Sequence, residues 1–328
     1  MIKSGGQHGL GPHVVGQRVV VRRIVHGETG PSGGPAMTDL LGTCESWGPE
    51  IAVIRAEDGR LVEIALADIV SGKPVPPRPS RFTRLSDDEV ELRATALFRP
   101  AAVERVGDWL LRHSGGTNGR PNSILPVGDP GVPLEEALAR AEEFYARHDR
   151  RPVAQVVVGS AVQIALEERG WVRLRPDEAD TEVQLAGVAQ LARGVADTDT
   201  DDVTYAPTIT HDWLMGNEAA QANFAIVGAT LDLPEAAFAS IEADGAQVAR
   251  ARVNLAGDWA FLADLTVQPE ARRAGLGRRV TAGCIEWAAE RGASVMLLQV
   301  LADNEPAQHL YASLGFERHH AYRYLTAP

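Results

Sequence analysis

One stretch constrains this chain more than any other: "FLADLTVQPEARRAGLGRRV", residues 261 to 280. An apolar, strand-like run enters a loop that carries Gly275 and Gly277 among Arg272, Arg273, Arg278 and Arg279. A helical pattern follows through Leu276, Val280, Cys284, Trp287 and Ala288 and closes at Gly292. A helix N-terminus offers unpaired N–H groups to an anion, and glycines let the backbone approach it with positive φ. Arginines add paired donors for phosphate oxygens. The spacing is not that of a P-loop, because Gly277 is followed by Arg278 and Arg279 and no Mg²⁺-binding hydroxyl comes next. It is not GxGxxG either. A diphosphate held without an obligatory metal fits best, although the loop alone also reads as a helix start with solvated arginines.

A second motif stands about thirty residues downstream: "NEPAQHLYASLGF", with Asn304, Ala307, Leu310, Tyr311, Leu314, Gly315 and Phe316. Together with "LTVQPEARRAGLG" it resembles the GNAT superfamily of acetyl-CoA-dependent N-acyltransferases, whose N-x-x-A-x-x-L-Y-x-x-L-G-F pattern is matched at every position. The resemblance covers roughly 200 to 328 and implies an α/β (α+β) fold whose mixed sheet splays after the strand "FLADLTV". It implies that Leu265, Thr266 and Val267 receive the pantetheine arm of acetyl-CoA, with Asn304 and Ala307 beside it. Arg272, Arg273, Ala274, Gly275, Leu276, Gly277 and Arg278 would then hold the pyrophosphate. Tyr311 would sit by the thioester sulfur as general acid. From the residues alone, Tyr311 also reads as a core aromatic beside Ala307, Leu310 and Leu314, and Asn304 as a helix cap.

A free alkylamine has a pKa of about 10, so acyl transfer at neutral pH needs a route for its proton. Some family members carry a glutamate where this chain has Phe261. Asp264 is the nearest acid and the candidate catalytic carboxylate. Strand alternation puts it opposite Phe261, Leu265 and Val267, which favours a hydrogen-bonding role. His319, His320 or a water relay are the other routes.

At 328 residues the chain is long enough for two or three domains. Residues 1–12 read as a flexible N-terminus and 13–78 as five short strands forming a small SH3-like β-barrel, with a hairpin at Asp58-Gly59. "SGKPVPPRPSR", residues 71 to 81, reads as an extended Pro-rich linker. Residues 79–195 repeat the element order of 196–328, with "LEERGW" over "YASLGF" and "PNSILPV" over "FLADLTV". In that overlay Leu166 replaces Tyr311, Gly159 replaces Asn304, and "GDPG" replaces the Arg/Gly loop. The first copy is therefore expected to be a degenerate GNAT-like unit without coenzyme, and 196–328 the catalytic one. Two-part actinobacterial GNAT proteins with an SH3-like N-terminal module have a similar plan.

The net charge of −12 argues against a nucleic-acid partner. Cys44 and Cys284 lie far apart, with neither a CxxC partner nor a nearby His, so no metal and no disulfide framework are expected. The sequence offers no membrane span or signal-like segment, which makes the cytoplasm the expected location. The leading function is N-acetyl transfer to a primary amine of a small molecule or protein. The alternative is a non-catalytic acyl-CoA-binding regulator that meets a protein partner through the SH3-like module. The acceptor pocket is expected from about Ala206 to Leu233 and the chain end, with Trp213, Tyr322 and Tyr324 as candidate walls.

Overall fold

The computed structural model describes residues 9–30, 33–56, 59–75, 82–116 and 118–328. The chain divides into two compact units, Met1–Ser80 and Arg81–Pro328. The first is an antiparallel sheet of β1 (Arg18–Thr29), β2 (Pro35–Trp47), β3 (Ile51–Ala56), β4 (Leu61–Ala65) and β5 (Ile69–Pro74), in the order β4-β3-β2-β1-β5. Val19 and Val21 alternate inward along β1 and meet Cys44, Ala52, Ile54, Ile64 and Ile69 in one core. Leu10 and the Pro12–Val14 turn pack on that core, so order begins before residue 12; residues 1–8 lie outside the described residues. The β3–β4 hairpin is present, although Asp58 lies outside the described residues. Ser71 to Pro74, expected to open the linker, pair with β1 instead, and 76–81 are outside the described residues.

The second unit opens with α1 (Asp87–Ala94), capped by Ser86 Oγ accepting from Glu89 N at 3.1 Å. Its first half continues with β6 (Ala102–Val106), β7 (Trp109–His113), β8 (Ile124–Leu125), α2 (Leu134–Ala146), β9 (Val153–Val157), α3 (Ala161–Glu167), β10 (Val172–Arg173), β11 (Thr181–Gly187) and α4 (Val188–Val195). The second half holds β12 (Thr204–Ala206), α5 (Glu218–Ala222), α6 (Phe224–Leu231), β13 (Ala236–Ala243), β14 (Ala246–Ala256), β15 (Trp259–Val267), α7 (Leu276–Glu290), β16 (Val295–Leu301), α8 (Glu305–Leu314) and β17 (Glu317–Thr326). "TEVQLAGVAQLA" reads as one strand in sequence. In the fold Gly187 ends β11, and Val188, Leu191 and Val195, at helical spacing, bury one face of α4.

One mixed sheet runs through both halves in the order β12-β13-β14-β15-β16-β11-β17-β9-β8-β7-β6, with β10 added to β17. The halves repeat one another: β8 runs parallel to β9 as β15 does to β16. Their last strands are exchanged. β11, from the first half, pairs with β16, while β17, from the second, pairs with β9, and β11 and β17 pair with each other. Neither half can complete its sheet alone. Among the described residues no helix is long and apolar enough to cross a membrane.

Leu185 sits in this seam, fully buried, between Leu297 of β16 and Glu317 of β17. Leu185→Ala is expected to cost about 2–5 kcal/mol through lost burial and a residual cavity. Urea unfolding of the Arg81–Pro328 unit checks this, and a loss below about 1 kcal/mol would deny the seam its role.

Candidate active site

The site begins where β15 and β16 part. Their parallel ladder pairs Trp259↔Val295 through Leu262↔Leu298 and goes no further. Beyond it lies a wedge of about 260 Å³ lined by Leu262 to Leu265, Gln299 to Leu301, Asn304, Ala307 and Tyr311, with Leu97 and Arg120 reaching in from the first half. A slot between two diverging strands exposes backbone N–H and C=O groups that an extended ligand can pair with.

A β-bulge sits at the opening. The β14–β15 register slips between Arg252↔Ala263 and Arg250↔Thr266, and Asp264 takes φ +57°. This overturns the alternation expected from the sequence. Trp259 and Phe261 pack in the core beneath α1, whereas Leu265 and Val267 join Ala260 and Leu262 in the core beneath α7. Asp264 instead turns to the Phe261 side, where its Oδ2 accepts from Arg252 Nε at 2.9 Å. The Arg252 guanidinium is fully buried, lies over Phe98 and also donates to Asn254 Oδ1 at 3.1 Å. Asp264 is thus the counter-charge of a buried cation. It also borders two cavities, the wedge and a second one of about 330 Å³.

The loop after β15 has the shape of an anion cradle. Gly275 is the N-cap of α7 with φ +79°, and no side chain caps that helix. The first-turn N–H groups of Leu276, Gly277 and Arg278 therefore have no intrahelical partner. Arg273 also takes positive φ, +68°, and among the described residues its side chain forms no hydrogen bond or ion pair. Arg272 Nε donates to Val267 O at 3.3 Å, and Arg278 Nη2 to Gly194 O at 2.8 Å. Gly277 is helical and needs no positive φ; a methyl there would make ordinary contacts with Val267 and Leu310. In the first half the equivalent turn is already filled by carboxylates. Asp88 accepts from Gly128 N, Asp108 from Asp129 N and Asp129 from Gly131 N, at 2.8–2.9 Å.

Asn304 caps α8, its Oδ1 accepting from Ala307 N at 3.3 Å, and it lines the wedge from that position. Tyr311, on the same helix, is buried edge-on to Phe316 and also lines the wedge. Burial first, and then neighbouring Cys284, push its phenol well above the ordinary range, so it stays protonated through neutral pH. Among the described residues Thr266 Oγ1 reaches only Asp264 O, at 3.4 Å.

The second cavity is walled by Trp213 and Leu214, by α5 and α6, by Gly115, Gly116, Asn118 and Pro121 of the first half, and by Arg175, Arg250 and Asp264. Trp213 is where the sequence put it. Tyr322 and Tyr324 are absent from this wall: Tyr322 is fully buried and receives Arg120 Nε at 2.9 Å. His319 and His320 lie in neither cavity. Arg120, Arg175, Arg250, Gly115, Gly116, Asn118 and Pro121 were not legible in the sequence, because no motif carries them and they converge only in the tertiary fold.

A sheet splayed over a protonated phenol, ahead of an uncapped glycine turn, defines the GNAT class of acetyltransferase. The chain belongs to the family described as "Probable histone acetyltransferase Rv0428c C-terminal", whose model matches residues 89–325. The companion model, "Rv0428c N-terminal Sm-like domain", matches 13–73. This corrects the SH3-like expectation, which rested on the number of short strands, a count that does not fix how a small barrel closes. Mycothiol acetyltransferase of Kocuria rhizophila is 50% identical over 54 residues, 16% of this chain and 18% of that protein. The Rhodococcus jostii enzyme of the same description is 43% identical over 56 residues, 17% of this chain and 18% of its own length. The chain thus spans under a fifth of these curated relatives. A GCN5-related N-acetyltransferase from Kribbella flavida shares the fold with a TM-score of 0.53 at 20% identity, over 76% of this chain and 97% of that one.

Asp264→Ala strands the Arg252 charge inside the protein. Because the Asp264 side chain is one-third exposed, the expected loss is about 1–3 kcal/mol, at the low end for a broken buried pair. Chemical denaturation of this variant against Asp264→Asn checks it, the amide retaining an acceptor for Arg252 Nε and losing less.

Proposed function

We propose that this enzyme transfers an acetyl group from acetyl-CoA to a primary amine, with Tyr311 as general acid. One observation carries the reading: a phenol kept protonated by burial lines a wedge beside β15, the strand that leads into the uncapped turn at Gly275. The donor supplies an activated acyl carbon and a thiolate leaving group. The chain supplies the rest. N–H groups at the start of α7, aided by Arg273, hold the diphosphate. The free edge of β15 at Leu265 to Val267 and the Asn304 amide align the arm, with Ala307 leaving room beside it. As the amine attacks and the C–S bond breaks, Tyr311 donates its proton to the departing sulfur.

The acceptor enters through the cavity under α5 and α6. Asp264 borders both spaces, and its Oδ1, not engaged by Arg252, is the group to hold an incoming ammonium. Water at the cavity mouth carries the amine proton away. The family's description suggests a protein lysine as acceptor, and the mycothiol acetyltransferases suggest a small-molecule amine. Both are alkylamines.

Tyr311→Phe is expected to lower kcat about 10²-fold or more, with little change in KM for acetyl-CoA. Thiol release measured across small amines and basic lysine peptides tests this, and unchanged turnover would remove Tyr311 from the mechanism. The pH dependence has a definite sign. A phenol with a raised pKa keeps its proton to higher pH, so no fall in kcat due to Tyr311 ionisation should occur below about pH 10.

A further inference from the structure

We propose that Asp87, His319 and His320 form a binding site for a divalent transition-metal cation, a zinc-class ion, tying the start of α1 to β17. This site is separate from the wedge and from the second cavity.

Adjacent residues on a strand normally point to opposite faces, and for that reason the pair carries no metal signature in sequence. Here the β11–β17 register slips between Val183↔His320 and Gln184↔Arg318, leaving His319 as the extra residue of a bulge. The bulge turns both rings inward. His319 Nδ1 and His320 Nδ1 come to 2.8 Å, and Asp87 Oδ1 lies 3.4 and 3.7 Å from them. A circle through three points so spaced has a radius of about 1.9 Å. An ion slightly out of that plane meets all three at the ~2.0–2.2 Å typical of zinc–nitrogen and zinc–oxygen bonds.

Hydrogen bonding sharpens the case. His319 Nε2 faces Leu85 O at 3.1 Å, and a carbonyl can only accept, so this nitrogen carries the proton. His320 Nε2 faces Glu91 Oε1 at 2.8 Å, and the other Glu91 oxygen accepts from Gln155 Nε2 at 2.6 Å. With Glu91 accepting at both oxygens, both rings carry their hydrogen on Nε2 and turn bare Nδ1 lone pairs on each other. That contact repels unless a positive species sits between them. A shared proton would bridge two nitrogens and leave Asp87 without a role. A metal ion uses all three atoms. Ligand histidines commonly donate their other N–H to a carboxylate or a backbone carbonyl, and these two do one of each. The imidazoles are nearly buried, with 7% and 5% of their side chains exposed, whereas Asp87 is 48% exposed. That side leaves the fourth position to water.

The test uses the full chain without a histidine tag, stripped with chelator and dialysed. Titration with Co²⁺ is expected to give ligand-field bands of a four-coordinate ion at one equivalent, abolished by Zn²⁺. Zn²⁺ is expected to raise the Tm by several degrees. Asp87→Asn, a surface change that should not disturb folding, is expected to weaken Co²⁺ binding at least tenfold, and Glu91→Gln tenfold to a hundredfold. Two results would overturn the proposal. One is the absence of Co²⁺ bands in protein shown by circular dichroism to be folded, with a ¹⁵N signal reporting one proton shared between the Nδ1 atoms. The other is bands of equal affinity in wild type and Asp87→Asn, which would put the metal elsewhere.

Discussion

Everything around the wedge depends on a parallel ladder that stops. β15 and β16 hold together from Trp259 to Leu262 and then separate, so the sheet opens a slot at its own centre. A gap in a sheet leaves hydrogen-bonding groups unpaired, and that is costly unless something holds the strands apart. Here the bulge at Asp264 bends β15 back towards β14, and the Arg252–Asp264 pair pins the bend from beneath. Tyr311 lines the slot from α8, and the turn at Gly275 follows the end of β15 at Val267.

The exchange of last strands gives the first half a structural task in the second. β11 lies between β16 and β17, and the first half also contributes Leu97 and Arg120 to the wedge and Gly115, Gly116, Asn118 and Pro121 to the second cavity. The first half thus serves the second as wall and as sheet. Its core, with Trp109, Tyr145, Leu166 and Trp171, also takes in Leu325 from the far end of the chain.

What could be read from sequence was local. Gly275, Asn304 and Tyr311 sit in short segments whose turn, cap and helical spacing are set by neighbours in the chain, and the structure brings all three to the same end of the sheet. The doubling of elements was legible from aligned segments. The two bulges were not. Both Asp264 and His319 break the period of two because a partner strand slips by one residue, and register is decided by tertiary packing. Arg120, Arg175 and Arg250 escaped notice because no motif carries them. The run after Thr181 was misjudged because Gly187 divides a strand from a helix whose apolar residues blend with it.

The carboxylates at Asp88, Asp108 and Asp129 have a further consequence. They occupy amides of the first half that correspond to the Gly275 turn of the second. An anion nearing that turn meets negative charge instead of open N–H groups. The two halves thereby differ at matching points: one turn presents free amides, and its twin is sealed from within.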